Sequence, residues 1–244
     1  QTIAAFFAEP VMGAGGVLIP PKKYFAKIQP ILKKYDILFV ADEVICGFGR
    51  TGNMWGSETF ELTPDMISCA KALSSAYLPI SALFINEKIY ESISEQSDEI
   101  GIFGHGSTYA GHPVVAAVAL ETLRIYESES IVDQVKMKSF QFARRLSEFS
   151  NYEFVGEVRN IGLIGAVELV ADKKSKKSFE AKSGVGLFCQ NQALSNGLIV
   201  RAIGDNIGFC PPLIISEKEL DQLFDIFTKS LKETQNWISN SISI

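Results

Sequence analysis

The sequence has little of what metal, membrane and nucleic-acid sites are built from. It carries two histidines, His105 and His112, and four cysteines at 46, 69, 189 and 210, with no C-x-x-C spacing. No zinc-ligand pattern results, so no metal is expected, and the thiols read as reduced ones in a cytoplasmic protein. Long apolar runs are also missing. The stretch Val114-Val-Ala-Ala-Val-Ala-Leu120 falls well short of the roughly 18 residues a membrane-spanning helix needs, so no membrane contact is expected. Basic charge is not in excess: 23 Lys and Arg stand against 28 Asp and Glu, a net charge of −5. Nucleic acid is therefore not an expected partner, and a small molecule is. No secretory leader is expected either, since Gln1 is followed by the apolar run Ile3-Ala-Ala-Phe-Phe-Ala8, which reads as a strand buried on both faces. On that reading the chain starts inside a fold and is a fragment, whereas the polar stretch from Trp237 to Ile244 looks like a natural chain end. What is present is apolar substance, 47% of 244 residues, enough for a sizeable core.

The chain alternates strand and helix patterns. After residues 3–8 and a turn at Gly13-Ala-Gly-Gly16, Pro20-Pro21 opens an amphipathic helix with Tyr24, Ile28, Ile31, Leu32 and Tyr35 on its apolar face. Residues 37–41 form a second buried strand, so the opening is a parallel strand–helix–strand unit of an α/β sheet. Residues 64–69 and 80–85 have strand length, and residues 112–127 and 131–149 read as helices. Beyond Tyr152 the pattern becomes α+β. Strands are expected at 155–158 and 164–170, a helix at 184–196, and a strand pair at 198–201 and 207–210 around Gly204-Asp205. The closing helix spans 217–237, with Ser216 as N-cap and Glu219 completing a capping box. Two domains are expected, 1–127 and 128–244.

Three features bear on chemistry. Gly47-Phe-Gly-Arg-Thr-Gly52 matches the dinucleotide fingerprint and follows a strand, which would suggest an oxidoreductase. Yet the residues after Gly52 lack helical periodicity, and Asp42-Glu43 puts negative charge before a loop meant for pyrophosphate. Asp42 ends the strand 37–41, where open α/β sheets bind ligands. Lys71 follows the next strand, between alanines and next to a cysteine, as a partly desolvated amine able to form a Schiff base would. A Schiff-base lysine with an acid for a pyridinium nitrogen is the pairing expected of pyridoxal 5′-phosphate (PLP) enzymes. Other polar clusters have plainer readings. The histidines position the loop around Thr108, Lys173-Lys-Ser-Lys-Lys177 is a solvated turn, and Cys46 is a small buried thiol.

Asp42-Glu-Val-Ile-Cys-Gly-Phe-Gly-Arg-Thr-Gly52, Ala70-Lys71-Ala-Leu-Ser-Ser75 and Gly104-His-Gly-Ser-Thr-Tyr-Ala-Gly-His-Pro113 resemble class III aminotransferases. Glu9-Pro-Val-Met-Gly-Ala-Gly-Gly16 and Arg201-Ala-Ile-Gly-Asp205, followed by Pro211-Pro-Leu213, extend the resemblance along nearly the whole chain. The resemblance implies fold type I of the PLP-dependent transferases: the second part of the large, mostly parallel-sheet domain, then a C-terminal α+β domain. It implies that Lys71 carries the cofactor as an aldimine and shuttles the proton between Cα and C4′, while Asp42 keeps the pyridine nitrogen protonated. Glu9 is counted with the cofactor-binding residues, Val44 packs on the ring, and Thr108 bonds the phosphate from the neighbouring subunit of a homodimer with shared active sites. Arg201 takes a substrate carboxylate. Ala14 stands where relatives built for 2-oxoglutarate carry a glutamate that pairs with this arginine, which favours pyruvate as acceptor. Ala76 replaces a glycine common in the family. The implied function is a ping-pong transfer of an amino group between an ω-amino acid or amine and an oxo acid, with the isolated fragment incompetent. The alternatives are a non-catalytic complementing half and, less well supported, a dinucleotide-binding oxidoreductase.

Overall fold

In the computed structural model, which describes residues 2–241, the first strands pair as a crossover unit requires. Strand β1 (Ala5–Ala8) leads through α1 (Tyr24–Lys34) to β2 (Leu38–Asp42), and the two strands run parallel with Ala5 opposite Leu38. The short helix α2 (Gly56–Thr59) precedes β3 (Met66–Cys69), which pairs parallel with β2. Next comes β4 (Ala82–Ile85), antiparallel to β3, and the sheet order is β1-β2-β3-β4. The sheet is thus mixed, which the sequence does not show because apolar strand patterns report burial and carry no direction. Helices α3 (Glu87–Ile100) and α4 (Pro113–Ser128) complete this part.

The expected double-sided burial of residues 3–8 needs correction: the strand starts at Ala5, and Phe7 keeps 71% of its surface exposed on an edge strand. The apolar face of α1 is also shifted. Phe25 and Leu32 are buried with Phe39 and Leu62, and Ile28 packs on that cluster, while Tyr24, Ile31 and Tyr35 are exposed. Helix α3 is absent from the sequence expectations because its residues are mainly polar. Asn86 marks its start, with Oδ1 accepting the Ile89 N–H at 3.1 Å.

Helix α5 (Ile131–Ser147) opens the C-terminal part, which holds β5 (Val155–Ile161), β6 (Ile164–Leu169), α6 (Val185–Ser195), β7 (Arg201–Ile203), β8 (Asn206–Phe209) and α7 (Glu217–Ser241). Its antiparallel sheet has the order β5-β6-β8-β7. Phe149 and Phe209 each pack against both Phe224 and Phe227, and the rings of Phe149 and Phe227 meet edge-on at 4.9 Å. The strand pair begins three residues later than its sequence pattern, at Arg201, because a two-residue turn at Gly204 (φ 57°) and Asp205 fixes the register. The capping box forms as expected: Glu219 N–H donates to Ser216 Oγ at 3.2 Å, and Ser216 N–H donates to Glu219 Oε2 at 2.8 Å. Helix α7 runs past Trp237 to Ser241, so the expected tail is helical there; its last residues, 242–244, like Gln1, lie outside the described residues.

The chain separates into two units: Gln1–Pro10, Pro20–Phe48 and Asn53–Ile131 form the first, and Val11–Ile19, Gly49–Gly52 and Val132–Ile244 form the second. A boundary near 128 leaves out the two early stretches of the second unit, and two arginines show why they belong there. Arg159 donates to Gly16 O at 2.7 Å and Val17 O at 2.9 Å, and also to Asn206 Oδ1 and Glu168 Oε2. Arg50 donates to Leu163 O and Pro211 O. Such partners lie up to 161 residues apart in sequence and leave no local pattern.

Candidate active site

Asp42 and Lys71 emerge at the carboxyl ends of neighbouring parallel strands. Asp42 is the last residue of β2 and faces Ser68 of β3 across the ladder. Its Oδ1 accepts the Val44 N–H at 3.0 Å and the Ser68 hydroxyl at 3.4 Å. Both bonds fall on one oxygen, so the carboxylate is oriented while Oδ2 stays available to a further donor.

Three residues past Ser68 the chain turns sharply. Lys71 has φ 43°, Ser75 φ 49° and Ala76 φ 62°, three non-glycine residues in the left-handed region within six positions. Each such conformation costs about 1–2 kcal/mol, and clusters of them gather at functional sites. The turn is closed by bonds from Ala76 N–H to Lys71 O at 3.2 Å and from Ser74 Oγ to Leu78 O at 2.6 Å. Beneath it, Leu73 and Cys69 pack with Phe48 and with Ala119 of α4, which anchors the turn to the sheet. Lys71 lines a cavity of about 320 Å³ with Ser74, Ala76, Leu78, Pro79 and Ile80. Lys71 is exposed, contrary to the expectation of a desolvated amine, because the turn carries it beyond the strand end.

Glu43 entered the sequence analysis only as negative charge ahead of the glycine motif. It is fully buried and accepts Gly56 N–H at 2.9 Å, Ser57 N–H at 2.6 Å and the Ser57 hydroxyl at 2.6 Å. Burial pushes its carboxyl above the ordinary value, more than the bonds from Ser57 and Gly56 pull it down. Its partners are 13 and 14 residues away, so periodicity could not have found it. The glycine motif serves the same packing. A Cβ at Gly47 would lie 2.8 Å from Glu43 O and 3.1 Å from the Trp55 ring, and the four-residue α2 is no phosphate-binding helix. The fingerprint is a packing device, and the oxidoreductase reading loses its support.

Val44 and Glu9 are half-buried, the latter directly after β1. Thr108 lies in an exposed turn within residues 101–111, all exposed, and no atom lies within 4 Å of a Cβ built at Gly104, Gly106 or Gly111. His112 caps α4 beside Tyr109, and its Nδ1 is buried without a partner among the described residues. Arg201 belongs to the second unit, where it starts β7 with an exposed side chain and no ion pair among the described residues. Cys46 is buried, and the lysine-rich turn is exposed apart from a half-buried Lys173. No group of three metal-binding side chains occurs among the described residues, and no helix there is long and apolar enough to cross a membrane.

A family model described as "Aminotransferase class-III" matches residues 1–231. Gamma aminobutyrate transaminase 3, chloroplastic, of Solanum lycopersicum is 49% identical over 236 residues, 97% of this chain and 45% of the relative. Vanillin aminotransferase of Capsicum chinense is 46% identical over 235 residues, 96% of this chain and 51% of its own. Among solved structures, the omega transaminase from Pseudomonas jessenii in complex with PMP superposes with a TM-score of 0.96 at 48% identity, covering 98% of this chain and 53% of that one. The chain spans about half the length of the curated relatives it matches.

Proposed function

The chain belongs to the class III aminotransferases, a PLP-dependent family of fold type I, and on that premise we propose that its protein moves an amino group between an ω-amino acid or amine and an oxo acid such as pyruvate. The observation that carries this reading is the placement of Lys71 and Asp42 at adjacent strand ends. The donor set fits the cofactor: a primary amine for its aldehyde carbon, and a carboxylate with one oxygen held and the other available for a ring N–H. When bound, PLP supplies a ring that takes up the electron pair released at the substrate's α-carbon.

The residues divide the remaining tasks. Lys71 Nζ, a primary amine, would hold the cofactor covalently, and as a free amine it would accept the proton that leaves the substrate's α-carbon. Asp42 Oδ2 holds the ring N–H, so its loss lowers turnover more than binding. Val44 packs on the ring and Glu9 stays with the cofactor-binding set. Thr108 donates its hydroxyl to the phosphate across a homodimer interface; the exposure of residues 101–111 supports a role outside their own subunit. Arg201 takes the substrate carboxylate in a bidentate contact, and Ala14, which offers it no acidic partner, supports pyruvate as acceptor. Among the described residues the assigned phosphate ligand is a single hydroxyl, so the 244 residues alone turn over poorly and the activity belongs to the whole protein. Four free cysteines support a reducing compartment, in our reading the cytoplasm, which cell fractionation tests against the organelles named for relatives.

The test is formation of alanine from pyruvate and an ω-amino donor by the whole protein. Lys71→Ala abolishes it, and Asp42→Asn lowers kcat with little change in KM. Undiminished turnover in Lys71→Ala would sink the reading.

A further inference from the structure

Strand β7 is the last strand of its sheet, bonded on one side to β8 and without a strand on the other. An edge strand this short leaves outward N–H groups to be met by something else. Here the Ala202 N–H donates to Oε1 of Gln190, from α6, at 2.7 Å. The glutamine side chain stands where a neighbouring strand's carbonyl would be. Four residues earlier, and so on the same face of α6, the Gly186 N–H donates to Asp205 Oδ1 at 2.9 Å, in the turn that joins β7 to β8. The approach there is close: a Cβ at Gly186 would lie 2.1 Å from Gly204 O. The hairpin is therefore stitched to one face of α6 at its turn and at the residue after Arg201.

Arg201 itself is exposed and has no ion pair among the described residues, so its placement depends on the backbone that carries it. Its carbonyl side is fixed by pairing with Gly208 of β8. The outward side of the strand is fixed, one residue on, by Gln190. We propose that Gln190 is a positioning residue for substrate recognition: by accepting the Ala202 N–H it holds β7 in the register that presents the Arg201 guanidinium to a substrate carboxylate. This rests on the assignment of Arg201 to the carboxylate. The bond needs an acceptor of glutamine's length. Methionine has the length without the amide acceptor, and glutamate has both.

Two readouts test it. Hydrogen exchange at the Ala202 amide needs no turnover and is read in the full-length protein. Gln190→Met speeds that exchange at least about fivefold, the loss expected for one hydrogen bond, and Gln190→Glu keeps the wild-type rate. In the full-length, PLP-loaded protein, Gln190→Met raises KM for an oxo acid about two- to tenfold, again one hydrogen bond's worth. It leaves kcat, and the KM of a primary amine lacking a carboxylate, unchanged. Equal exchange in all three proteins overturns the proposal, as does a KM that rises equally for both substrates or for neither. If instead Arg201→Leu leaves the oxo-acid KM unchanged, the Arg201 assignment itself fails, and the positioning role falls with it.

Discussion

Phe142, Phe149, Phe224 and Phe227 are among the largest fully buried side chains of the second unit, whereas the one of that rank in the first unit, among the described residues, is the carboxylate Glu43. The difference separates two ways of holding a shape. The second unit is ordered by interlocked aromatic rings between α5, the sheet and α7. The first has a smaller core around Phe25, Phe39 and Leu62, and a polar anchor ties its strand-end loop to α2. It also exposes large apolar side chains on both edge strands, Phe7 on β1 and Leu83 and Phe84 on β4. The unit that carries Lys71 and Asp42 therefore gives part of its order to oriented polar groups and a strained turn, as sites of chemistry do.

The largest effect that could break this comparison is in the aromatic core. Phe224→Ala removes a ring packed against Phe142, Phe149 and Phe209 and costs about 3–5 kcal/mol, read as a lower urea midpoint. A loss under about 1 kcal/mol would mean that the rings do not order the second unit. Glu43 sharpens the other side. Glu43→Ala leaves two N–H groups and the Ser57 hydroxyl without their acceptor and costs about 1–3 kcal/mol. Since the folded carboxyl titrates above its ordinary value of 4.5, the folded state binds the proton more tightly than the unfolded chain does. Its contribution is complete below that ordinary value and is lost as pH rises through the folded one. Glu43→Gln flattens this slope in unfolding curves across the same window. The smallest effect is at Ala76. Its φ of 62° is strained for alanine, so Ala76→Gly relieves about 1 kcal/mol. Added freedom in the unfolded chain, about 0.4–1 kcal/mol, opposes that relief. The variant's melting temperature stays within a few degrees of the parent, and a large drop would show that the methyl, and not the backbone, holds the turn.

Motif spacing and helical periodicity made most of the elements and the Lys71–Asp42 pair legible in the sequence. Local caps were legible too, as Ser216 and Glu219 show. What stayed hidden depends on distant partners or on direction. Nothing in Ala82–Ile85 shows that β4 runs antiparallel, and Tyr24 fits the apolar face of α1 as well as Phe25 does until β2 and Leu62 choose between them. Arg159, with its side chain 9% exposed, looks in the sequence like any surface arginine; only its bonds to Gly16 and Val17, more than 140 residues earlier, reveal the clamp. Gln190 was equally silent, because its role is to accept from one backbone N–H twelve residues on. The exposure of Lys71 could not be read from its alanine neighbours, since a positive φ redirected the chain.

The amine at the end of β3 is the group proposed to take the cofactor. That role is tested most directly by adding PLP to the protein, reducing with borohydride, and weighing the proteolytic peptides. A phosphopyridoxyl mass on the peptide containing Lys71, absent in Lys71→Ala, is the predicted result. A label spread over surface lysines with none on Lys71, or PLP bound equally well in Lys71→Ala, would contradict it.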